Sequence, residues 1–492
     1  MLVGAALAIW SGLVAREAPS RPLGRDRPVN AGARDPGDLS AHNSPTLARD
    51  PRDADHLVAT SRIDSPDFSC AVHVSFDRGA RWRRIPVPIP PGQGRKCYAP
   101  DAAFEPDGAL RISYVTLAGG ANRPQAVWLA SSRDGGRTLS VPVRVTGPLA
   151  FQVRLATDPA RKGRLYLTWV QARDVGNLKF TGPGNPILMA RSEDGGASWT
   201  PPVRVNDPRR GRVLAPSAAL GLAGELYVLY LDVGEDRLDY EGGHEGSGGP
   251  PYPGRFSLVL ARSRDGGATW AESVIDDRVV PIERFISFLP AFPSLAVDRR
   301  SGRVYAGFHD GRLGSADVDV WSLARGAKAW SGPVRVNDTP RDDGTSQYLP
   351  ELAVAPDGRL DVVYYDRRDD PGRNVLNGVS IQSSHDGGRS FDAHLALSSR
   401  SFDSRTGFGS ERGIPNLGSR LGLVSDRRGS LALWSDTRAG TEASGKQDLV
   451  AAASAPGRPG VAASTADDVG RAGFALVLGG LAALLIVRRR SA

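Results

Sequence analysis

Charged side chains recur in pairs at the ends of several apolar segments of this 492-residue sequence. An aspartate is followed two positions later by an arginine at Asp310 and Arg312, at Asp366 and Arg368, and at Asp436 and Arg438. Carboxylates can act as acids, bases or nucleophiles at a glycosidic bond, and arginine binds carboxylates or phosphates through two parallel hydrogen bonds. The pattern therefore indicates either a ligand site or a set of ion pairs that order repeated loops.

Two long polar segments add further candidates. Gln171–Pro186 contains Arg173, and Leu231–Arg255 contains Asp232 and Glu241 among several other acidic residues. Long loops on a rigid scaffold are often functional. The acidic loop could hold Ca²⁺, but it lacks the regular ligand spacing of a calcium loop. We therefore expect no cofactor and no metal site.

One eight-residue motif recurs five times with the pattern Ser-x-Asp-x-Gly-x-x-aromatic, or leucine in one copy. The copies are Ser75–Trp82, Ser132–Leu139, Ser192–Trp199, Ser263–Trp270 and Ser384–Phe391. Successive aspartates are 57, 60, 71 and 121 residues apart, so a sixth copy should lie midway in the last interval. A degenerate copy is found there at Ser322–Gly326, with Ala324 in place of the aspartate. The motif predicts a hairpin turn, and we expect Asp77, Asp134, Asp194, Asp265 and Asp386 to be structural.

Short alternating segments surround each turn, with about four strands in each period of roughly 60 residues, which is typical of a β-propeller blade. We count seven such units, centred on His56–Arg62, Leu110–Val115, Leu165–Trp169, Leu226–Tyr230, Val304–Phe308, Leu360–Tyr365 and Leu431–Ser435. The last unit lacks a fourth strand, and Arg27-Pro28-Val29-Asn30 resembles the missing one. The sequence therefore predicts an all-β propeller over residues 27–455, seven-bladed with six blades as the alternative, closed by its N-terminal strand.

The five motifs resemble the Asp-boxes (BNR repeats) of the sialidase, or neuraminidase, superfamily, and the resemblance covers roughly residues 27–455. Asp-boxes are specific for the fold, since they also occur in other glycosidases, sorting receptors and photosystem assembly factors. Two features depart from the sialidase pattern. Sialidases have six blades, and their Arg-Ile-Pro motif precedes the first box, whereas Arg84-Ile85-Pro86 follows Trp82 here.

The resemblance implies a site of three arginines that bind a substrate carboxylate, a tyrosine–carboxylate pair and an acid/base aspartate. The catalytic candidates are Asp366, Tyr365, Asp232 and Glu241. The substrate-binding candidates are Arg154, Arg173, Arg312, Arg368, Arg438, Asp310 and Asp436. Three functions stay open: a propeller that binds a glycan or surface protein, a sialidase-like glycoside hydrolase, and a scaffold for a membrane partner.

Both ends of the chain are apolar. Leu2–Val14 is as long as the apolar region of a signal peptide, so residues 1–26 are expected to be a leader or anchor. Residues 456–471 form a predicted linker, 472–488 a membrane segment and 489–492 a basic cytoplasmic tail. At 16 residues, Ala472–Val487 is short for a spanning helix. We expect an exported, membrane-anchored monomer.

Cysteine content and charge add two expectations. Cys70 and Cys97 are the only cysteines, and in an exported domain they are expected to form a disulfide bond. The net charge of +8 comes mainly from scattered arginines, with no basic stripe in the folded part, so nucleic-acid binding is not expected.

Overall fold

The computed structural model describes residues 19–30, 40–120, 122–174, 184–236, 252–282, 291–407, 416–441 and 443–457. Within these ranges the chain forms seven antiparallel sheets of four or five strands each, which are the seven blades of a propeller. The compact unit spans Pro22–Ala455, so it begins slightly before the predicted residue 27. A second unit comprises Met1–Arg21 and Pro456–Ala492. The predicted membrane segment and tail lie outside the described residues, as does the predicted leader up to residue 18, while its residues 19–26 are described.

Two short strands open the described chain, β1 (Arg21–Pro22) and β2 (Arg27–Pro28). Blade 1 contains β3 (His42–Asp50), β4 (Asp53–Ile63), β5 (Ser69–Ser75) and β6 (Arg83–Ile85). Blade 2 contains β7 (Lys96–Phe104), β8 (Leu110–Ala118), β9 (Arg123–Ser132) and β10 (Val143–Thr146). Blade 3 contains β11 (Ala150–Thr157), β12 (Leu165–Gln171), β13 (Ile187–Ser192) and β14 (Val203–Arg204).

Blade 4 contains β15 (Val213–Leu220), β16 (Leu226–Asp232), β17 (Phe256–Ser263) and β18 (Ala271–Val279). Blade 5 contains β19 (Ser294–Val297), β20 (Val304–Leu313), β21 (Ser315–Leu323) and β22 (Ser331–Arg335). Blade 6 contains β23 (Gln347–Val354), β24 (Leu360–Asp366), β25 (Leu376–Ser384), β26 (Leu395–Ala396) and β27 (Phe402–Asp403), followed by a 3₁₀ turn at Ser404–Thr406. Blade 7 contains β28 (Gly422–Asp426), β29 (Gly429–Asp436) and β30 (Asp448–Ala455).

The ring closes as predicted, because the N-terminal segment supplies the outer strand of blade 7. Strand β2 pairs with β30 through Arg27 opposite Ala451 and Pro28 opposite Val450. The pairing continues beyond the strand, since the amide of Val29 donates to the Leu449 carbonyl at 2.7 Å. Across the described ranges each of the seven sheets then has four or five strands, which confirms seven blades as the fold.

The core lies between neighbouring blades, so a middle strand is covered on both of its faces. All seven residues of β24 (Leu360–Asp366) are buried, which explains its almost continuous apolar sequence. Three tryptophans, Trp169, Trp321 and Trp434, are among the largest fully buried side chains. Within the described part of the chain, no helix has the length and apolar character needed to cross a membrane.

The five Ser-x-Asp turns join the third and fourth strands of their blades. In the third copy Ser192 Oγ accepts the amide of Gly196 at 2.8 Å, and Asp194 Oδ1 accepts the amide of Ser198 at 2.9 Å. Gly196 has a φ of 89°, which glycine adopts without steric cost. Hydrogen bonds from Ser198 lower the pKa of Asp194 to about 2. The same two amide contacts recur in the turns of Asp77, Asp134, Asp265 and Asp386.

Candidate functional site at the propeller axis

The antiparallel order of each blade separates the Ser-x-Asp turns from the predicted site. Turns between strands 3 and 4 lie at one end of a blade, and exits from strand 2 lie at the other end. The predicted Asp-x-Arg pairs at the ends of β20, β24 and β29 therefore share one face of the ring. We call this face the mouth face.

Each mouth-face arginine of an Asp-x-Arg pair contacts two carboxylates. Arg312 Nε donates to Asp310 at 2.7 Å, and its Nη2 donates to Asp276 at 2.8 Å. Arg368 contacts Asp366 and Asp338, and Arg438 contacts Asp436 and Asp26. These three guanidinium groups occupy separate ion-pair networks in different blades. The geometry brings no two of them together, and their predicted role in substrate binding stays a prediction.

Tyr365 and Asp366 lie inside blade 6. The Tyr365 side chain is fully buried, and its hydroxyl donates to the carbonyl of Ser435 at 3.0 Å. Burial raises the pKa of Tyr365 well above its usual value. Asp366 Oδ2 accepts the Ser380 hydroxyl at 2.7 Å. Both side chains therefore have packing and hydrogen-bonding roles in this fold, and nothing in the geometry exposes the phenol to a ligand.

The remaining predicted residues are spread around the ring. Asp232 accepts from Arg210 at 2.9 Å in blade 4. Arg173 follows β12 in blade 3, is exposed, and is distant in sequence from the Asp-x-Arg pairs. Glu241 lies outside the described residues. Of the predicted set, Arg154 alone is placed at the centre of the ring.

Arg154 belongs to a charged cluster that four blades contribute to the propeller axis. Its Nε lies 3.2 Å from Asp101 Oδ2 of blade 2. Arg420 enters from the segment before β28 and donates to the Pro100 carbonyl at 3.0 Å. The guanidinium carbons of Arg154 and Arg420 lie 5.7 and 5.5 Å from the ring centroid of Phe292. Glu351 of β23 completes what we call the axial cluster: Asp101, Arg154, Glu351 and Arg420.

A repeated backbone irregularity positions these side chains. The inner strands of five blades contain a register shift next to a non-glycine residue with φ between 49° and 59°. These residues are Ser44, Ala99, Gln152, Ala215 and Leu349. Two positions later come Thr46, Asp101, Arg154, Ser217 and Glu351. A bulge turns the following side chain out of the regular pleat, and left-handed non-glycine residues concentrate at functional sites.

Sequence reasoning missed Asp101, Glu351 and Arg420, although a signal for two of them was present. A proline stands directly before the axis-facing position in Pro45-Thr46, Pro100-Asp101, Pro216-Ser217, Pro293-Ser294 and Pro350-Glu351. Proline is confined to strand starts and bulges because it has no amide to donate to a sheet. A recurring Pro-polar pair at the start of an inner strand therefore marks the axis.

Burial shifts the pKa values of two side chains in the axial cluster. Burial raises the pKa of Glu351 to about 7, even though Arg154 and Arg420 oppose the shift. Burial also lowers the pKa of Arg420 to about 10, with Arg154 adding to the effect. By contrast, Asp101 accepts the amides of Ala102 and Leu155, both at 3.0 Å, which stabilise its carboxylate. The Nε atom of Arg420 has no hydrogen-bond acceptor among the described residues, whereas Arg154 Nε is held by the ion pair with Asp101.

A second polar layer lies beside the cluster. Arg62 donates to the Tyr98 hydroxyl at 3.0 Å and to Asp64 at 2.8 Å. Tyr98 directly follows Cys97, and the disulfide bond between Cys70 and Cys97 joins β5 of blade 1 to β7 of blade 2. The predicted cysteine pairing is thus present, and it fixes the start of the strand that carries Tyr98 and Asp101.

Groups of three or more histidine, cysteine, aspartate or glutamate side chains with metal-binding geometry are absent from the described ranges. Most of the acidic loop that we considered for Ca²⁺ lies outside those ranges. The described cluster at the axis combines two cations with two carboxylates. Its chemistry is therefore suited to a ligand that carries a carboxylate or several hydroxyl groups.

Comparison with known proteins finds no matching family model and no matching curated protein. Among solved structures, a Dyadobacter fermentans protein of unknown function is 12% identical, with 90% of this chain and 99% of that chain covered and a TM-score of 0.46. The Hadza microbial sialidase Hz136 is 15% identical, with 82% and 73% covered and a TM-score of 0.45. An α-L-arabinofuranosidase from Fusarium graminearum is 16% identical, with 75% and 98% covered and a TM-score of 0.45.

Proposed function

We propose that this protein is an exported, membrane-anchored propeller of the sialidase superfamily that binds an acidic glycan, or another carboxylate-bearing surface ligand, at its axial cluster. The observation that carries the proposal is the convergence of Arg154 and Arg420 on one Phe292 ring, at 5.7 and 5.5 Å. Two guanidinium groups from opposite parts of the chain are held together at the axis although like charges repel. Such an arrangement is favourable when an anion lies between them.

The charge balance supports an anionic ligand. Asp101 neutralises Arg154 in part, but the raised pKa of Glu351, about 7, leaves much of that carboxyl protonated near neutral pH. The cluster then has an excess positive charge. The Nε atom of Arg420 has no acceptor among the described residues and offers a donor for a ligand carboxylate. Five Asp-box turns, with the hydrogen bonds described above, support placing the chain in the sialidase superfamily.

Ligand binding can be tested by titrating the protein with sialyllactose and, separately, with lactose. We expect binding of the acidic sugar alone, and we expect Arg154→Gln to weaken it by roughly 30-fold, since a charge-assisted pair contributes about 2 kcal/mol. Arg209→Gln is the matched control, because the Arg209 side chain is 90% exposed and is paired with Asp207. Equal affinity for the two sugars, or unchanged affinity in Arg154→Gln, would argue against the axial site.

Glycoside hydrolysis is a second candidate because Glu351 has a pKa of about 7, which suits a general acid at neutral pH. Glu351 would protonate the leaving oxygen, and Asp101 is the other carboxylate of the cluster. Turnover of methylumbelliferyl glycosides by the native chain, lost in Glu351→Gln with ligand affinity retained, would establish it. If the native chain binds sialyllactose but releases no aglycone, the protein is a binding module.

Export and anchoring rest on the two apolar terminal segments of the sequence. The test is flotation with membranes before and after removal of residues 472–492, together with the mass of the mature N-terminus. We expect the full chain to float and the shortened chain to lose this behaviour if the leader is cleaved. A full chain that remains in the soluble fraction would contradict the anchor.

A further inference from the structure

Both ends of the propeller unit leave the ring at the same blade. The chain enters at Pro22, in the outer strand β1 of blade 7, and leaves at Ala455, the last residue of the adjacent strand β30. The amide of Leu23 donates to the Ala453 carbonyl at 2.8 Å, so the two segments are adjacent. The apolar segment Leu2–Val14 ends eight positions before Pro22 in the sequence. An extended linker of that length reaches at most about 28 Å.

This outer edge of blade 7 has an unusual composition for a solvent-facing strand. Leu23 is 45% exposed, which makes it one of five large hydrophobic side chains exposed in the described ranges. Arg25, Arg27 and Arg400 are exposed as well. Arg400 lies nearby because the amide of Ser399 donates to Asp26 at 3.1 Å. We call Leu23, Arg25, Arg27 and Arg400 the blade 7 edge.

The three arginines of the blade 7 edge have no carboxylate partner among the described residues. The neighbouring carboxylate of Asp26 is already bound to Arg438 at 2.6 Å. In contrast, the mouth-face arginines each contact two carboxylates. The edge therefore combines three exposed arginines that make no ion pair among the described residues with one exposed leucine.

The edge is poorly suited to adding a strand from another protein. Pro22 and Pro28 have no amide hydrogen, and proline on an edge strand blocks further pairing. A planar anionic surface needs no strand pairing. Arginine side chains bind phosphate groups, and a leucine among them can enter the headgroup region.

We propose that the blade 7 edge docks on the anionic headgroups of the membrane that anchors the chain, so that the propeller lies with this edge against the lipid. The inference rests on the membrane attachment proposed above. With this edge against the lipid, the plane of the mouth face would be perpendicular to the membrane. Each basic residue near an anionic surface strengthens binding about fivefold, so three arginines shift the docking equilibrium about a hundredfold.

The test uses the full chain with one added cysteine, because both native cysteines are joined in a disulfide bond. A fluorophore is placed at Leu23→Cys and, as the control, at Val274→Cys on the outer strand of blade 4. Both native side chains are 45% exposed. The labelled chains are mixed with vesicles that contain a nitroxide lipid quencher, either of pure phosphatidylcholine or with 30% phosphatidylglycerol.

We expect flotation with both vesicle types, and quenching only of the label at position 23 in the anionic vesicles. The triple variant R25E/R27E/R400E should float equally and lose this quenching, with an unchanged melting temperature. Flotation with equal quenching at positions 23 and 274, or quenching at 23 that persists in the triple variant, overturns the docking proposal and leaves the anchor intact. A chain that floats with neither vesicle type overturns both proposals.

Discussion

The Glu351 carboxyl provides the sharpest test of the axial electrostatics. Its pKa in the folded protein is about 7, because burial penalises the charged form. In the unfolded chain a glutamate has a pKa of about 4.3. The folded pKa is the higher one, so the stability associated with this group is complete below pH 4.3 and is lost as the pH rises towards and through 7.

The magnitude follows from the difference between these two pKa values. This difference corresponds to roughly 3 to 4 kcal/mol of stability lost between pH 4 and pH 8. Glu351→Gln cannot ionise and should not show this loss. The unit Pro22–Ala455 has an unfolding entropy near 0.9 kcal/mol per kelvin, at about 2.1 cal/mol/K for each residue. We therefore expect the variant to melt about 4 °C above the native protein at pH 8 and close to it at pH 4.5.

The assay is thermal unfolding of native protein, Glu351→Gln and Glu193→Gln in matched buffers from pH 4.5 to 8. Glu193 is the control because its side chain is 48% exposed. Parallel melting curves for native protein and Glu351→Gln across this range would refute the reasoning. That result would mean that Glu351 is ionised in the folded state as a counterion of Arg154 and Arg420.

Three further predictions concern the framework of the site, and each is measured by chemical denaturation. Removing the disulfide with Cys70→Ser and Cys97→Ser should cost about 3.5 kcal/mol, from a loop of 27 residues, and a loss below 1 kcal/mol would contradict the link between blades 1 and 2. Gly418→Ala should cost roughly 3 kcal/mol or more, because its φ is 97° and a Cβ would lie 2.3 Å from the Ser44 amide nitrogen. Gly224→Ala has a similar φ of 81° with no atom within 4 Å, so it should cost only about 1 kcal/mol; equal losses would show that the contact with Ser44 is unimportant. Deleting residues 19–30 should abolish cooperative unfolding of the ring, because blade 7 loses the strands that pair with β30; a normal transition would mean that closure does not need them.

The fold was largely readable from the sequence because its determinants are local. A Ser-x-Asp turn is built from residues within eight positions, so the repeat indicates the hairpin wherever it occurs. Even the degenerate copy with Ala324 lies between β21 and β22, the third and fourth strands of blade 5. The N-terminal closing strand could be predicted because blade 7 lacked a strand and Arg27–Asn30 resembled it.

The candidate site was less predictable because its geometry depends on contacts between blades. Tyr365 was a candidate because it stands at the exit of β24, but both faces of a middle strand are covered in a propeller, and Tyr365 is therefore fully buried. The Asp-x-Arg pairs were expected to face a ligand. In the structure each arginine pairs with its own aspartate and with a second aspartate from another segment. Arg154 was identified as an arginine candidate, while its neighbours Glu351 and Arg420 are distant in sequence and were not.

The sequence by itself indicated the propeller, with seven blades favoured over six, and the five turns, because hydrogen bonds and strand periodicity within each repeat specify them. It also indicated the closing strand, because blade 7 lacked one, and the cysteine pair, because the chain has only two cysteines. Tertiary structure alone decided which charges meet. Asp101, Arg154, Glu351 and Arg420 come from four blades and converge because the inner strands surround one axis. Their positions in the sequence do not predict the distances between them in the folded protein. Their burial together sets the pKa of Glu351 and the chemistry of the axis.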